Sequence, residues 1–170
     1  MADDVLRRHT ICALVDNEPG VLARVIGLFS GRGYNIDSLT VAQVDIDRGL
    51  SRINIVATGT ELVIEQIKSL LSKLVPVHRV QDLTALGPHV SRELALVKVT
   101  GDRQRLIDAL RIAEFMDVRC IDRSPESFVF EVTGTSDDLD SFIKLVEPVE
   151  VSRAGVVAIG RGDIVLSPRP

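Results

Sequence analysis

A chain of 170 residues with 45% hydrophobic and 26% charged content has the profile of a soluble, core-forming protein, long enough for one ordinary domain or two small ones. A net charge of −4 offers no basic stripe for a phosphate backbone, and 4% aromatic content without Trp leaves few stacking platforms, which argues against a nucleic-acid partner. Residues 1–8 lack the apolar core of a signal peptide and no run reaches the length of a membrane span, so a cytoplasmic protein is expected.

Residues 9–15 are rich in β-formers and read as a strand that stops at the polar turn Asp16-Asn17-Glu18-Pro19-Gly20. Val21, Leu22, Val25, Ile26 and Phe29 then repeat at the spacing of one helical face. Pro19 suits the first turn of that helix, and Gly31 and Gly33 are the expected left-handed terminators. A second strand is expected at 36–46, with Ile36, Val41, Val44 and Ile46 as its apolar members. Asp47-Arg48-Gly49 carries hairpin chemistry, and 50–58 returns as a third strand with Ile53, Ile55 and Ala57 alternating against Arg52, Asn54 and Val56.

Thr60 and Glu61 open a second helix whose stripe is Ile64, Ile67, Leu70, Leu71 and Leu74, and 75–83 is a fourth strand. Strand, helix, strand, strand, helix, strand is the split βαβ order of ferredoxin-like folds. Residues 84–92, with Gly87-Pro88, read as a linker, after which the order repeats: strand 94–99, helix 103–116, strands 118–122 and 128–133, helix 137–146, and an interrupted strand 149–159. The letters echo as well. Thr58-Gly59-Thr60 recurs as Thr133-Gly134-Thr135, and Lys73-Leu74-Val75-Pro76-Val77 recurs, with one extra residue, as Lys144-Leu145-Val146-Glu147-Pro148-Val149, which supports a duplication.

The fold class expected is therefore α+β, two ferredoxin-like βαββαβ domains in tandem, at 8–83 and 93–163, with a linker at 84–92 and a tail at 164–170. One sheet face of each domain carries its helices. The other must be covered or stay polar, and an apolar second face or edge favours association with a second copy.

The turn at 17–20 offers chemistry. Free N–H groups of a helix's first turn point outward with the positive end of the dipole, and Gly20 leaves a ligand room, which makes a carboxylate site. The same residues also make a plain helix start, with Asn17 as cap, Pro19 as first residue and Gly20 relieving crowding, and on local residues alone this is the commoner use of such a turn. The second half has Thr100-Gly101-Asp102 at this place, without the Asn-x-Pro-Gly turn. His9, His78 and His89 show no metal-ligand spacing, Cys12 and Cys120 read as buried reduced thiols, and no carboxylate pair stands out for acid/base work. No phosphate-cradling loop or nucleophile elbow occurs either. A sensor of a carboxylate ligand, in a domain built to pair, is what these residues support.

The run Asn17-Glu18-Pro19-Gly20-Val21-Leu22-Ala23-Arg24-Val25-Ile26-Gly27-Leu28-Phe29, followed by Arg32-Gly33-Tyr34-Asn35-Ile36-Asp37-Ser38-Leu39-Thr40-Val41 and Leu50-Ser51-Arg52, resembles the ACT domain of the small regulatory subunits of acetohydroxyacid synthase, also called acetolactate synthase. The resemblance continues through residues 92–99 and 155–162, and departs from the family's usual pattern at Ala113 to Cys120. It implies a non-catalytic chain, without a cofactor of its own, that activates a large catalytic subunit carrying thiamine diphosphate, Mg and FAD. It also implies feedback inhibition by valine at a site shared between two ACT domains of a homodimer. Carried onto this sequence, the effector-binding residues are Asn17, Pro19, Gly20, Val21 and Leu22 of one copy, with Asn35 and Ile36 of the other. Two different functions remain open at this point: a stand-alone ACT sensor of another amino acid, and a small ferredoxin-like enzyme.

Overall fold

The computed structural model describes residues 5–168. Its elements run β1 (Arg7–Asp16), α1 (Val21–Ser30), β2 (Ser38–Asp45), β3 (Leu50–Gly59), α2 (Glu61–Ser72), β4 (Val77–Asp82), α3 (Leu83–Leu86), β5 (His89–Thr100), α4 (Arg103–Phe115), β6 (Arg119–Arg123), β7 (Ser127–Gly134), α5 (Ser136–Val146), β8 (Glu150–Arg153) and β9 (Val157–Gly160). The chain divides into two compact units, one reaching to Val90 and resuming at Val156, the other spanning Ser91–Gly155.

In the first unit the sheet order is β2-β3-β1-β4 with every neighbour antiparallel, the order expected of the ferredoxin-like fold. Period-two alternation places Ile11, Ala13 and Val15 of β1 and Ile53, Ile55 and Ala57 of β3 on one face, where they pack with Val21, Val25 and Phe29 of α1 and Ile64, Ile67 and Leu71 of α2. The second unit repeats the order as β6-β7-β5-β8 and builds its own core from Ala95, Val97 and Val99, Phe130 and Val132, and the inward faces of α4 and α5.

The repeated Thr-Gly-Thr has a structural reason in both units. Thr60 and Thr135 each cap the following helix through the side chain. The preceding glycine lets strand and helix approach closely: a Cβ at Gly59 would lie 3.1 Å from Val63 Cγ1, and one at Gly134 would lie 2.8 Å from Asp138 Oδ2.

Several expectations are corrected. The segment read as a linker holds α3, capped by Asp82, and already begins β5 at His89. The interrupted final strand is two strands, β8 and β9, both paired with β5, and residues from Val156 onward are grouped with the first unit. Cys12 and Leu83 form a small cluster there with Ala158, Ile164 and Leu166, which covers part of the first sheet's outer face. Gly33, at φ 69°, is the left-handed residue after α1, whereas Gly31 keeps helical angles. Leu22 and Ile26 extend the helical stripe beyond the core and are 38% exposed, and Val41 and Val44 of the edge strand β2 and Ile46 in the turn after it are exposed as well. Cys12 is fully buried, but Cys120 is only half-buried.

Candidate effector site

The turn after β1 is fixed from both sides. Asp16 N–H donates to the Pro76 carbonyl at 2.8 Å, and Asn17 N–H donates to the Gly49 carbonyl at 2.7 Å. Ser51 Oγ donates to Asn17 Oδ1 at 3.0 Å, and His78 Nε2 sits 2.6 Å from Asp16 Oδ1. The next three residues, Glu18, Pro19 and Gly20, stand exposed on this base. Gly20 has φ 85° and ψ −5°, the angles of the third position of a type II turn, and Val21 N–H reaches the Glu18 carbonyl at 3.4 Å. Proline at the second position and glycine at the third are the residues that this turn selects.

Asn17 is therefore not the helix cap, and Pro19 precedes the helix instead of opening it. Gly20 occupies the cap position and has no side chain with which to cap. No side chain replaces it, so the N–H groups of Leu22 and Ala23 have no acceptor among the described residues. The other four helices are each capped by Thr or Asp: Thr60 for α2, Asp82 for α3, Asp102 for α4 and Thr135 for α5. A Cβ built on Gly20 meets nothing within 4 Å, so the donors face open space at the positive end of α1. Val21 is buried beneath them and Leu22 stands partly exposed beside them, so unpaired backbone donors lie next to an apolar side chain.

Asn35 and Ile36 lie elsewhere. They occupy the loop between α1 and β2, at the far end of a ten-residue helix about 15 Å long. Asn35 is exposed and its Nδ2 donates to Asp37 Oδ1 at 3.0 Å, while Ile36 is half-buried against the first core. Asp37 is held in turn by its own N–H on the Val56 carbonyl and by Thr58 Oγ1 on Oδ2. One chain brings Asn17, Pro19, Gly20, Val21 and Leu22 together and keeps Asn35 and Ile36 apart from them.

Two residues that hold the turn were not visible in the sequence. Ser51 is placed by the β1–β3 register, in which it faces Val15, and His78 by the start of β4. Ser51 lies within the run Leu50-Ser51-Arg52 that carries the resemblance, but nothing in that run assigns it to the turn, and no local motif marks His78. Among the described residues, no three His, Cys, Asp or Glu side chains are grouped to hold a metal ion.

Two family models match parts of the chain, and relatives match most of it. A family model described as small subunit of acetolactate synthase matches residues 92–162, and one described as AHAS small subunit-like ACT domain matches residues 11–79. The chain is 45% identical over 163 residues to the acetolactate synthase isozyme 3 small subunit of Salmonella typhimurium, a match that covers 94% of this chain and 99% of that one. It is 42% identical over 160 residues to the acetolactate synthase small subunit of Aquifex aeolicus, covering 92% and 82%. The crystal structure of the acetolactate synthase small subunit from Thermotoga maritima superposes with a TM-score of 0.81 at 36% identity, over 93% of this chain and 99% of that one.

Proposed function

The chain belongs to the acetolactate synthase small-subunit family, and from that premise we propose that it is a non-catalytic regulatory subunit that activates a large catalytic subunit and makes it sensitive to valine. The observation that carries this reading is the uncapped start of α1, where Leu22 and Ala23 N–H groups face open space beyond Gly20. An α-carboxylate satisfies those donors at the positive helix end, as an anion at any helix N-terminus does. The isopropyl group lies against Leu22. Asn17, whose carboxamide is oriented by Ser51, flanks the ammonium group.

Because one chain keeps Asn35 and Ile36 about a helix length away, the complete site uses these two residues from a second copy. The exposed Leu22 and Ile26 on α1 and Val41 and Val44 on the edge strand β2 support such a homodimer. Thiamine diphosphate, with Mg and FAD, belongs to the large subunit and none of them to this chain. The proposed assembly is placed in the cytoplasm; among the described residues, no helix is long and apolar enough to cross a membrane.

The test is acetolactate synthesis by the large subunit with and without this chain, across a valine titration. The expected result is stimulation by the chain, then inhibition as valine is added, with no turnover by the chain alone. Amino-acid binding without any effect on the large subunit would favour a stand-alone sensor instead.

A further inference from the structure

Strand β4 carries a bulge beside the effector turn. Along β1, Ile11 to Leu14 pair in steady register with Asp82 to Arg79, but Val15 pairs with Val77, which leaves His78 as the extra residue. In an unbroken register His78 would stand opposite Val15, whose side chain lies in the first core. The bulge gives that place to Val77, which packs against the core, and frees the imidazole for another partner. His78 Nε2 meets Asp16 Oδ1 at 2.6 Å, with both side chains 36% exposed. An ionised carboxylate only accepts, so the ring nitrogen donates.

Asp16 ends β1 and opens the polar turn. Its N–H on the Pro76 carbonyl, the Asn17 N–H on the Gly49 carbonyl and the Ser51 hydroxyl on Asn17 are all bonds between neutral groups. The bond from His78 is the one tie among these whose strength follows pH, because an imidazolium donates to a carboxylate more strongly than a neutral ring does. β4 packs against β1, α2 and α3. Besides Asp16, β1 brings Arg7, Arg8 and His9 at its opposite end, α2 brings Glu61 and the Lys68–Glu65 pair with Lys73 after it, and α3 brings no charged residue. Arg79 follows His78 on β4 itself, Glu18 lies in the turn, and Asp163 precedes the Val165 carbonyl that Gln81 holds. Apart from His9, which is engaged by Asp82, none of these is an imidazole, the side chain that changes charge between pH 5 and 8. We propose that His78 is a positioning residue for the effector turn, holding Asp16 most firmly as imidazolium, so that effector affinity falls as pH rises from 6 to 8. This rests on the effector reading above. The effect is one of preorganisation: the firmer the root of the turn, the less order the ligand must impose on residues 17–20 when it binds.

The test is valine binding by calorimetry from pH 6 to pH 8, on the full chain and on its His78→Gln and Asp16→Asn variants, each checked for folding by circular dichroism. Glutamine keeps a neutral donor at every pH, and asparagine removes the charge that an imidazolium meets. The parent's affinity is expected to fall about two- to fivefold from pH 6 to pH 8, the range ordinary for a partly exposed ion pair. His78→Gln is expected to bind within about twofold of the parent at pH 8 and to lose the pH dependence, and Asp16→Asn to lose it as well. Valine's own titration is common to all three chains, so a difference in slope belongs to the pair. A parent that binds valine with the same affinity at both ends of the range overturns the proposal while the effector reading stands. A slope that persists unchanged in the variants also overturns it, even where they bind more weakly, because His78 is then a structural contact and another group sets the pH dependence. No heat of valine binding from the parent at any pH overturns the effector reading and the proposal together. Should one variant lose its circular dichroism signal, the other carries the same comparison.

Discussion

The two units share one strand order, yet they treat the turn from first strand to first helix in opposite ways. In the first, a type II turn ends on Gly20, no side chain caps α1, and the donors face open space. In the second, Asp102 caps α4 by accepting from Arg105 N–H at 2.9 Å. The Arg105 side chain then folds back to donate to the carbonyls of Thr100 at 3.0 Å and Glu147 at 2.8 Å. It packs so closely that a Cβ at Gly101 would lie 2.4 Å from its Cδ. The same fold position is left uncapped and open in one copy and is occupied by the chain's own carboxylate and guanidinium in the other. Topology therefore supplies the helix end, and two or three residues decide whether it is available to a ligand.

Closing the open turn should have the largest effect. Gly20→Asp sets a carboxylate where the effector's own carboxylate meets Leu22 and Ala23, and valine affinity should fall on the order of 100-fold, or about 2.7 kcal/mol. Because Gly20 has φ 85°, an L-residue there also costs about 1 kcal/mol of stability, although its Cβ meets no atom. Calorimetry with valine checks the first effect and a thermal melt the second. Stimulation of the large subunit should persist. A folded variant that loses stimulation together with valine response would mean that the turn contacts the large subunit instead.

The second unit's closure should show as stability instead of binding. Glu93 is 5% exposed and accepts from Arg153 Nε at 2.9 Å and Nη2 at 2.7 Å, with Ser136 Oγ on Oε2 at 3.2 Å. The Arg153 hydrogen bonds, more than any other contact, hold the Glu93 carboxyl below its ordinary range. A folded-state pKa below the unfolded one stabilises above the ordinary carboxylate range, and that contribution is lost as pH falls through the depressed value. Glu93→Gln should therefore destabilise the second unit by about 2 kcal/mol near neutrality, less than a fully buried pair because Arg153 remains partly solvated. It should also flatten the loss of stability on acidification. Hydrogen exchange of β5 and β7 amides across pH reads both, and valine affinity should stay as it was.

Asp102→Ala then removes only the cap of α4, with an expected loss of about 1 kcal/mol. Chemical denaturation followed by circular dichroism should show that loss. Valine titration should show no change, since the second turn remains covered by Arg105. New valine binding by this variant would mean that Asp102 alone had kept the second turn shut.

Much of this arrangement was legible in the sequence, because both of its main signals are local. Alternation in β3 and the stripes of α1 and α2 marked Ile53, Ile55 and Ala57, Val21, Val25 and Phe29, and Ile64, Ile67 and Leu71 of the first core, and the duplicated Thr-Gly-Thr marked two equivalent caps. Pro19-Gly20 was legible as a turn but was read as a helix start, since proline serves both places and only the angles of Gly20 separate them. The exposure of Leu22 and Val41 was hidden because apolar periodicity does not distinguish a core face from a face left for another chain. The return of residues 156–166 was invisible for a different reason. Val156 and Ala158 alternate as any strand does, and their partners Ser38, Thr40 and Arg52 lie more than a hundred residues back. Contacts of that span leave no period in the chain.

The smallest change asks whether Asn17 is merely part of the turn or part of the site. Ser51→Ala removes the one side-chain bond to the Asn17 carboxamide and leaves the backbone bonds from Asp16 to Pro76 and from Asn17 to Gly49 intact. Since Asn17 is exposed, water replaces the partner its carboxamide loses even though Ser51 itself is buried, and stability should fall by only about 0.5 kcal/mol. The Asn17 side chain, no longer oriented, must then be ordered by the ligand itself, and that ordering is expected to cost about 0.5 to 1 kcal/mol of binding. Valine affinity should accordingly drop about two- to fivefold, with the melting temperature close to that of the parent. Asn17→Ala should weaken valine further with as little effect on the melt. Equal valine affinity in the parent and in both variants would show that Asn17 only shapes the turn, leaving the effector to the Leu22 and Ala23 N–H groups alone.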